Sequence, residues 1–311
     1  MIKIAIVGLG IIADSHIKAT KELAGVELVA VCDIDPEKVK RYTDSVNVWG
    51  TTDYKELAAL DIDAVILNLP HWLHCAVSVF FLEAGKHVLV EKPMAMSVSE
   101  CDKMIAASDK SGKKLAVGHI QRYFGSIKAA EHFYKSGELG KLCLYTENRT
   151  VNYFDEKRPR WFLQKEKAGG GIVMNYGAHA FDKLFYVMND AKIVKLDSFC
   201  GNYLNSEDIE GHAQIFAGFD NGVSASITFS GYTSSGYDAY WYFTKGALRV
   251  RGSRCEVDRG SGFEKYEVPS ELSPFAEQLN EFCKYIRGED ANVPTAEYGR
   301  RIIARIEQIL K

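Results

Sequence analysis

The sequence predicts an α/β fold in two domains, a doubly wound parallel sheet followed by an α+β domain with a large, mostly antiparallel open sheet. Residues 2–119 alternate short apolar runs with amphipathic stretches, the pattern of a parallel sheet with helices on both faces. After about Gln121 the segments become long and rich in β-branched and aromatic residues. We therefore expect domains over residues 1–120 and 121–311, and the closing helix can pack back on the first.

The first domain has six candidate strands, each a short and nearly continuous apolar run. In chain order they are "IKIAIVG", "VELVAVCD", "VNVW", "DAVILNL", "HVLVE" and "LAVGH". Between them, Asp35 followed by Pro36 indicates an N-cap with proline in the first helical position. Ser97 and Glu100 have the spacing of a capping box. Three glycines stand where helices are expected to end, namely Gly25, Gly85 and Gly112.

The second domain opens with one helical stretch, "GSIKAAEHFYKSGEL", and continues with the β-rich segments. Within those segments, "DNG" at 220–222 separates two alternating runs and predicts a hairpin turn. Two further helical stretches close the chain, "SPFAEQLNEFCKYIRG" and "AEYGRRIIARIEQILK". These elements complete the predicted α+β domain.

Composition places the chain among ordinary globular proteins, with 47% hydrophobic and 25% charged residues. The net charge of -3 does not favour nucleic acid or an anionic membrane surface as a partner. No apolar run approaches the ~20 residues of a membrane helix. The opening "MIKIAIVGLG" has no basic lead, so it indicates a first strand rather than a signal peptide.

The seven cysteines are scattered along the chain, and their number is odd. No cysteine, histidine or acidic cluster has the spacing of metal ligands, so we expect no metal site. Scattered thiols are typical of reduced cysteines, and we expect a cytoplasmic protein.

The strongest motif is a glycine-rich turn directly after the first strand. Gly8-x-Gly10-x-x-Ala13, with Ile11 and Ile12 inside it, opens a predicted helix. Glycines there allow a tight turn and close approach of a pyrophosphate, whose charge lies at the helix N-terminus. The motif therefore predicts a Rossmann-type dinucleotide site, and a glycine-rich turn in a non-binding sheet is the alternative.

Asp33 ends the second predicted strand, 20 residues after Ala13. A carboxylate in this position binds the ribose 2′-hydroxyl and repels a 2′-phosphate. Asp35 adds negative charge, and no Arg or Lys follows immediately. The sequence therefore favours NAD over NADP.

Lys92 lies at the end of the fifth predicted strand, after Glu91 and before Pro93. Ligands bind outside the carboxyl ends of strands in such sheets. A lysine there could donate a hydrogen bond to a substrate oxygen, and an exposed strand-end lysine is the alternative.

A second candidate segment is "AGGGIVMNYGAHAFD", where three glycines lead into a predicted helix. Asn175 and His179 are four residues apart, and Asp182 follows, so an α-helix would present all three on one face. The glycines could let the loop approach a substrate or cofactor. An ordinary core helix with a flexible entry is the alternative.

Five motifs together resemble the glucose-fructose oxidoreductase / inositol 2-dehydrogenase / rhizopine-catabolism family, over essentially the whole chain. They are the Gly8–Ala13 turn, "LPHWLH" (69–74), "GKHVLVEKP" (85–93), "GHIQRY" (118–123) and "GGGIVMNYGAHAFD" (169–182). The resemblance implies a Rossmann domain followed by an α+β domain whose open sheet forms the oligomer interface. It also implies hydride transfer between a nicotinamide cofactor and a carbon of a sugar, inositol or related polyol.

The resemblance carries over to individual residues. Lys92 matches the family's active-site lysine, and His179 matches its histidine. Asn175 departs from the aspartate found in many of the family's dehydrogenases, which puts a lysine–aspartate–histidine mechanism in doubt. The residues that the resemblance implies on the cofactor side are Leu69, His74 and Glu91.

Three weaker features have two interpretations each. Arg122 could contact substrate, as the family's arginine does, or form a structural salt bridge. Trp161, in "KRPRWF", could cover the apolar face of a sugar or lie in a solvated loop. The aromatic run 237–243, "YDAYWYF", indicates core packing first and a buried subunit interface second.

Together these observations lead us to expect an NAD-dependent oxidoreductase that acts on a secondary alcohol of a small, sugar-like substrate. His179 would be the general base, Lys92 would bind the reacting oxygen, and Asn175 would orient the substrate or His179. We expect a homodimer or homotetramer joined through the second sheet. Two alternatives stay open: an NAD-dependent glycosidase-type enzyme with transient oxidation, and a non-catalytic NAD-binding sensor.

Overall fold

The computed structural model describes residues 1–189, 191–204 and 208–311. The chain forms two compact units, the first of residues 1–120 and 271–304 and the second of residues 121–270 and 305–311. The first unit thus includes residues 271–304, although they follow the second unit's sheet in the sequence. The reason is apolar packing, because Leu279 and Phe282 share one hydrophobic core with Ile17 and Ile66.

A parallel sheet of six strands organises the first unit, in the order β3-β2-β1-β4-β5-β6. The strands are β1 (Ile2–Val7), β2 (Val26–Cys32), β3 (Trp49–Thr51), β4 (Ala64–Leu67), β5 (His87–Glu91) and β6 (Leu115–Gly118). The helices are α1 (Ala13–Glu22), α2 (Pro36–Val46), α3 (His71–Glu83) and α4 (Val98–Ser111). The strand order reverses between β1 and β4, which is where such sheets bind ligands. The predicted doubly wound sheet is confirmed.

Most of the local signals in the first unit act as expected. The Asp35 carboxylate accepts the N–H of Glu37 at 3.0 Å, and the Ser97 hydroxyl accepts the N–H of Glu100 at 3.2 Å. Gly112 ends α4 in the left-handed conformation. These contacts satisfy backbone groups that a helix end leaves open.

Two boundaries differ from the expectation. β3 begins at Trp49, the last residue of "VNVW", because α2 continues to Val46 and Asn47 ends it with a φ of 54°. Gly25 does not end α1, whose cap is the extended Leu23. Both errors arise at element ends, where neighbouring contacts rather than composition set the last residue.

The second unit contains an eight-stranded sheet in the order β14-β13-β12-β11-β7-β10-β9-β8. Its strands are β7 (Leu142–Asn152), β8 (Ile193–Gly201), β9 (His212–Phe219), β10 (Ser224–Ser230), β11 (Tyr232–Phe243), β12 (Gly246–Arg251), β13 (Arg254–Asp258) and β14 (Phe263–Lys265). β7 and β10 pair in parallel and the other neighbours are antiparallel. Gly222, with a φ of 84°, lies in the hairpin turn predicted from "DNG".

The strand register separates two faces of this sheet. One row across five strands stays open to solvent: Asp197, Phe216, Ser226, Thr146 and Tyr240. The neighbouring row is buried and includes Ile227, Glu147 and Ala239. The aromatic run 237–243 therefore divides, with Trp241 in the core and Tyr242 on the open face.

Helices cover the buried face. They are α5 (Gly125–Ser136), the short α6 (Lys165–Ala168) and α7 (Ala178–Val187), which a π-helical turn, Val173–Gly177, precedes. The chain closes with α8 (Pro274–Arg287) and α9 (Ala296–Ile309), near the predicted positions. Among the described residues, no helix is long and apolar enough to cross a membrane.

Candidate functional site

The turn after β1 has the geometry of a dinucleotide loop. Gly8 has a φ of 93°, and a Cβ added there would lie 2.4 Å from the Asn68 carbonyl oxygen, so the fold itself requires glycine. A Cβ added at Gly10 would meet no protein atom within 4 Å. Packing within the described fold therefore does not explain glycine at residue 10, and the space beside it is open.

The first helix leaves its N-terminus available to an anion. α1 begins at Ala13, and the side chain of Ile12, its N-cap residue, accepts no hydrogen bond from it. Ile11 is 95% exposed beside it. Backbone N–H groups at such a helix end, together with the helix dipole, suit a pyrophosphate.

Asp33 is held at the end of β2 by the backbone. Its carboxylate accepts the N–H of Leu9 at 2.7 Å and the N–H of Asp35 at 3.0 Å. The Nζ atom of Lys38 lies 3.8 Å from the same carboxylate. The sequence analysis did not identify Lys38 as a neighbour of Asp33. The two are brought together because the first turn of α2 directs Lys38 back towards the end of β2.

Glu91, at the end of β5, links the lysine-bearing segment to α1. Its carboxylate accepts the N–H of Lys92 at 3.1 Å and lies 3.0 Å from Nε2 of His16, a buried residue of α1. Burial alone would raise the pKa of Glu91, but the His16 hydrogen bond and the charge of Lys92 outweigh it and hold the pKa below its usual range. Glu91 is therefore ionised, and its carboxylate holds the backbone of Lys92 in place. His16 is a second residue of this region that the sequence analysis did not identify.

His74 joins two loops at the carboxyl end of the sheet. Its Nδ1 atom lies 2.8 Å from the Pro93 carbonyl oxygen, and its Nε2 atom lies 2.7 Å from that of Leu69. Burial lowers the pKa of His74, and the two carbonyl groups oppose that shift. His74 thus holds the predicted cofactor-side segment in place through backbone contacts, on both sides of its ring.

The segment that carries Asn175 is not a regular α-helix. Val173–Gly177 forms a π-helical turn, and α7 begins only at Ala178. Asn175 and His179 are both buried, at 7% and 6% exposure. The assumption of uniform α-helical spacing between them is therefore wrong, although π-turns within helices are frequent at functional sites.

The glycine run before this turn is tightly packed. Gly169 ends α6 in the left-handed conformation, and a Cβ at Gly171 would lie 2.1 Å from the Glu210 carbonyl oxygen. The Glu210 carboxylate accepts the N–H groups of Gly171 and Val173, both at 2.8 Å. Packing against Glu210 therefore requires glycine at residue 171. This explains Gly171 without a role in loop flexibility or in the approach of a ligand.

Tyr153 sets the orientation of Asn175. The buried Tyr153 hydroxyl donates to the Gly171 carbonyl oxygen at 3.1 Å and is also hydrogen-bonded to the Asn175 side chain. Because the phenol hydrogen goes to Gly171, the phenol oxygen accepts from the Asn175 amide. Burial raises the pKa of Tyr153, so the hydroxyl stays neutral and donating. The carbonyl oxygen of the Asn175 side chain is an acceptor in this orientation.

Two buried ion pairs hold α7 to the rest of the second unit. Asp182 pairs with Arg122, and Lys183 lies 2.7 Å from the Glu147 carboxylate. All four side chains are nearly inaccessible to solvent. The geometry favours the structural interpretation of Arg122 over a substrate contact, and removing one partner of such a pair is costly.

Trp161 is half-buried and stacks on Phe162, with ring centroids 3.7 Å apart. Next to it, the Arg158 guanidinium lies 4.2 Å from the centre of the Tyr153 ring. The loop is therefore packed rather than fully solvated.

Among the described residues, no group of three or more His, Cys, Asp and Glu side chains could hold a metal ion.

Comparison with known sequences gives two matches that cover most of the chain. A sequence profile described as an oxidoreductase family with an NAD-binding Rossmann fold matches residues 2–119, and the C-terminal domain profile of the GFO/IDH/MocA family matches residues 127–257. The chain is 32% identical over 213 residues to the 1-carboxy-3-chloro-3,4-dihydroxycyclohexa-1,5-diene dehydrogenase of Comamonas testosteroni, covering 67% of this chain and 52% of that protein. It is 32% identical over 145 residues to an inositol 2-dehydrogenase of Salmonella typhimurium, covering 45% and 43%.

The chain thus spans about half the length of these two relatives. Among solved structures, an aldose-aldose oxidoreductase from Caulobacter crescentus superposes with a TM-score of 0.91 and 23% identity, covering 99% of this chain and 96% of that one. The structural likeness shows the shared fold. With both of its domains matched, the chain belongs to the Gfo/Idh/MocA family of oxidoreductases and contains that family's NAD-binding Rossmann fold.

Proposed function

We propose that this protein is an NAD-dependent oxidoreductase that acts on a secondary alcohol, or the matching ketone, of a sugar, cyclitol or related polyol. The observation that carries the proposal is the dinucleotide loop, in which Gly10 leaves room for a ligand and the backbone holds Asp33 in place. The names of the two relatives, which act on an inositol and on a dihydroxylated ring, support this substrate class.

The residues of the first unit fit a dinucleotide. The N–H groups at the start of α1 would bind the pyrophosphate, and Asp33 would accept from a ribose hydroxyl. When NAD is bound, its nicotinamide supplies the redox chemistry. Lys92, whose backbone Glu91 holds, would donate a hydrogen bond to the reacting oxygen and polarise it.

In the second unit, His179 would accept the alcohol proton during oxidation and return it during reduction. Asn175 would accept a hydrogen bond from substrate or from His179 through its amide oxygen, because Tyr153 engages the amide N–H. As Asn175 carries no charge, the proton transfer would depend on His179 without a neighbouring carboxylate at residue 175.

We further propose a homodimer or homotetramer joined through the open face of the second sheet. Phe199 is 72% exposed and Phe216 is 54% exposed on that face. Exposed aromatic side chains such as these suit a buried interface. A second copy of the chain would cover a sheet face that the single chain leaves open.

We also propose the cytoplasm as the compartment of this protein, because all seven cysteines are free thiols.

The direct test is a panel of sugars, sugar acids and cyclitols with NAD, followed by NADH absorbance. The proposal expects at least one compound to yield NADH. His179→Ala should slow turnover by about 10²–10⁴ and leave NADH affinity nearly intact, as general acid–base loss predicts. Lys92→Ala should also slow turnover without loss of NADH affinity.

The same experiment separates the two alternatives. Tightly held cofactor with cleavage of a glycosidic bond and no net NADH would identify the glycosidase-type enzyme. Binding of NAD with no reaction on any compound would identify a sensor. Normal turnover in His179→Ala would leave this histidine with a structural role.

A further inference from the structure

The second unit contains an arginine whose charge no acid balances. Arg149, on β7, is half-buried, and its guanidinium forms no hydrogen bond or ion pair with any residue that the structure describes. The carboxylate nearest in sequence, Glu147, is matched by Lys183 at 2.7 Å and accepts the Tyr145 hydroxyl at 2.5 Å. Arg149, Lys183 and Glu147 together carry one excess positive charge. A guanidinium that is partly withdrawn from water and has no acceptor among the described residues is available to a ligand that offers one.

Two tyrosine rings lie against the guanidinium. Its central carbon lies 4.6 Å from the centre of the Tyr176 ring and 5.0 Å from that of the Tyr237 ring. Both rings are half-buried. Stacking occupies the flat faces of a guanidinium and leaves its N–H edges pointing outward in the plane. An edge of parallel N–H donors matches the two oxygens of a carboxylate or phosphate.

The position of these residues relates them to the candidate site. Tyr176 directly follows Asn175 in the π-helical turn. Lys183, which contacts the Tyr237 hydroxyl at 2.9 Å, lies one helical turn after His179 on α7. Arg149 is therefore supported by the same helical segment that carries both candidate residues, and a group bound there would be fixed relative to them.

We propose that Arg149, held between Tyr176 and Tyr237, binds an anionic group, a carboxylate or a phosphate, on the substrate. This inference rests on the proposed function and narrows it to acidic sugars, cyclitols or related polyols. A neutral polyol would leave the guanidinium edge without an acceptor. Preference for an acid over its neutral parent is thus the property that Arg149 would control.

The test compares hexuronates, aldonates and sugar 6-phosphates, each with its neutral parent. Binding to the NAD-loaded protein is measured by calorimetry, and turnover by NADH formation. We expect at least one acid to bind more tightly than its parent. Arg149→Gln should weaken the binding of that acid by about 10- to 100-fold, which is the usual contribution of a charge-assisted hydrogen bond. The affinity for the neutral parent should not change. The carboxylate and phosphate series show which anion is preferred.

Two variants control the experiment. Arg259→Gln removes a surface arginine that is paired with Glu138 and Glu264, and it should keep the full preference for the acid. Arg149→Lys keeps the charge without the planar edge and should retain part of the preference. The thermal transition shows whether Arg149→Gln folds. If it does not fold, a reduced preference for the acid in Arg149→Lys supports the inference, and an unchanged preference contradicts it.

The inference is overturned if no acid binds better than its neutral parent, or if the preference for the acid is as large in the folded Arg149 variants as in the unmodified protein. NADH formation from neutral polyols with equal affinities in Arg149→Gln would remove the inference and leave the proposed function in place. If an acid binds in a way that depends on Arg149 but no compound yields NADH, the inference about Arg149 stands and the proposed function fails.

Discussion

At the scale of one residue, we expect the carboxylate of Asp33 to decide the choice between NAD and NADP. Asp33→Ser removes the group that repels a 2′-phosphate and leaves Lys38, now 3.8 Å from that carboxylate, free to approach the phosphate. We expect the ratio of the dissociation constants for NADP and NAD to fall by roughly 10-fold, equivalent to ~1.4 kcal/mol. Fluorescence titration with NADH and NADPH measures both constants.

The control is the double variant Asp33→Ser with Lys38→Ala, which should lose much of the gained NADP affinity. The thermal transition must be followed in parallel, because Asp33 also accepts the N–H of Leu9. Equal affinities for NAD and NADP in the unmodified protein would refute the role of Asp33.

The neutral side chain of Asn175 leads to a prediction about pH. Asn175→Asp places a carboxylate on the turn before His179, which favours the protonated imidazole and would raise its pKa. Since the base must be neutral to accept the alcohol proton, the acid limb of kcat/KM for oxidation should move to higher pH, by about one unit.

Tyr153 provides the matched control for that experiment. Its hydroxyl can turn from Gly171 to a carboxylate at residue 175 and would then reduce the effect on His179. The shift should therefore be larger when Tyr153→Phe accompanies Asn175→Asp. An unshifted acid limb in both variants, with fold and NADH affinity intact, would mean that residues 175 and 179 are not coupled.

Glu210 determines the geometry of a whole element, the π-helical turn. Burial raises the pKa of Glu210, and the N–H groups that it accepts oppose the shift. A carboxyl group whose pKa is higher folded than unfolded lowers the free energy of unfolding as pH rises through the interval from 4.5 to the folded pKa. The charge of Glu210 is thus a cost at neutral pH, while its oxygen caps two N–H groups.

Glu210→Gln keeps an acceptor oxygen and removes the buried charge, so at neutral pH it should match or exceed the stability of the unmodified protein. Glu210→Ala leaves the N–H groups of Gly171 and Val173 without this acceptor and should cost ~1–3 kcal/mol per group. Urea unfolding at several pH values measures both, and the difference between Gln and Glu should disappear below pH 4.5. Equal stability of the Ala and Gln variants would contradict the capping role.

The predictability of each element follows the range of its contacts. Asp35 and Ser97 cap helices through residues two or three positions away, so the sequence predicts them. The π-helical turn depends on Glu210, 39 residues beyond Gly171, and no local pattern signals it. His16 and Glu91 are 75 residues apart, and their pairing requires the parallel sheet to bring α1 and β5 together.

At the scale of the whole molecule, the open face of the second sheet predicts an oligomer. Phe216→Glu places a charge within the row from Asp197 to Tyr240. Burying that charge in an interface is costly, so the variant should dissociate at concentrations where the unmodified protein is associated. Light scattering at micromolar concentration measures the mass of each.

Thr52→Glu, on the exposed surface of the first unit, is the matched control and should leave the mass unchanged. A monomer in the unmodified protein at micromolar concentration would contradict the proposed interface. The aromatic run 237–243 shows why sequence alone left this open, because its residues alternate between the core and the open face.

We expect direct hydride transfer between substrate and cofactor, which isotope tracing can follow. A polyol that yields NADH is supplied with deuterium on the carbinol carbon, and the reduced cofactor is analysed by mass spectrometry. Each NADH formed should carry one deuterium, with a slower rate than for the unlabelled polyol when chemistry limits turnover. Recovery of the label in water, or NADH without deuterium, would contradict it.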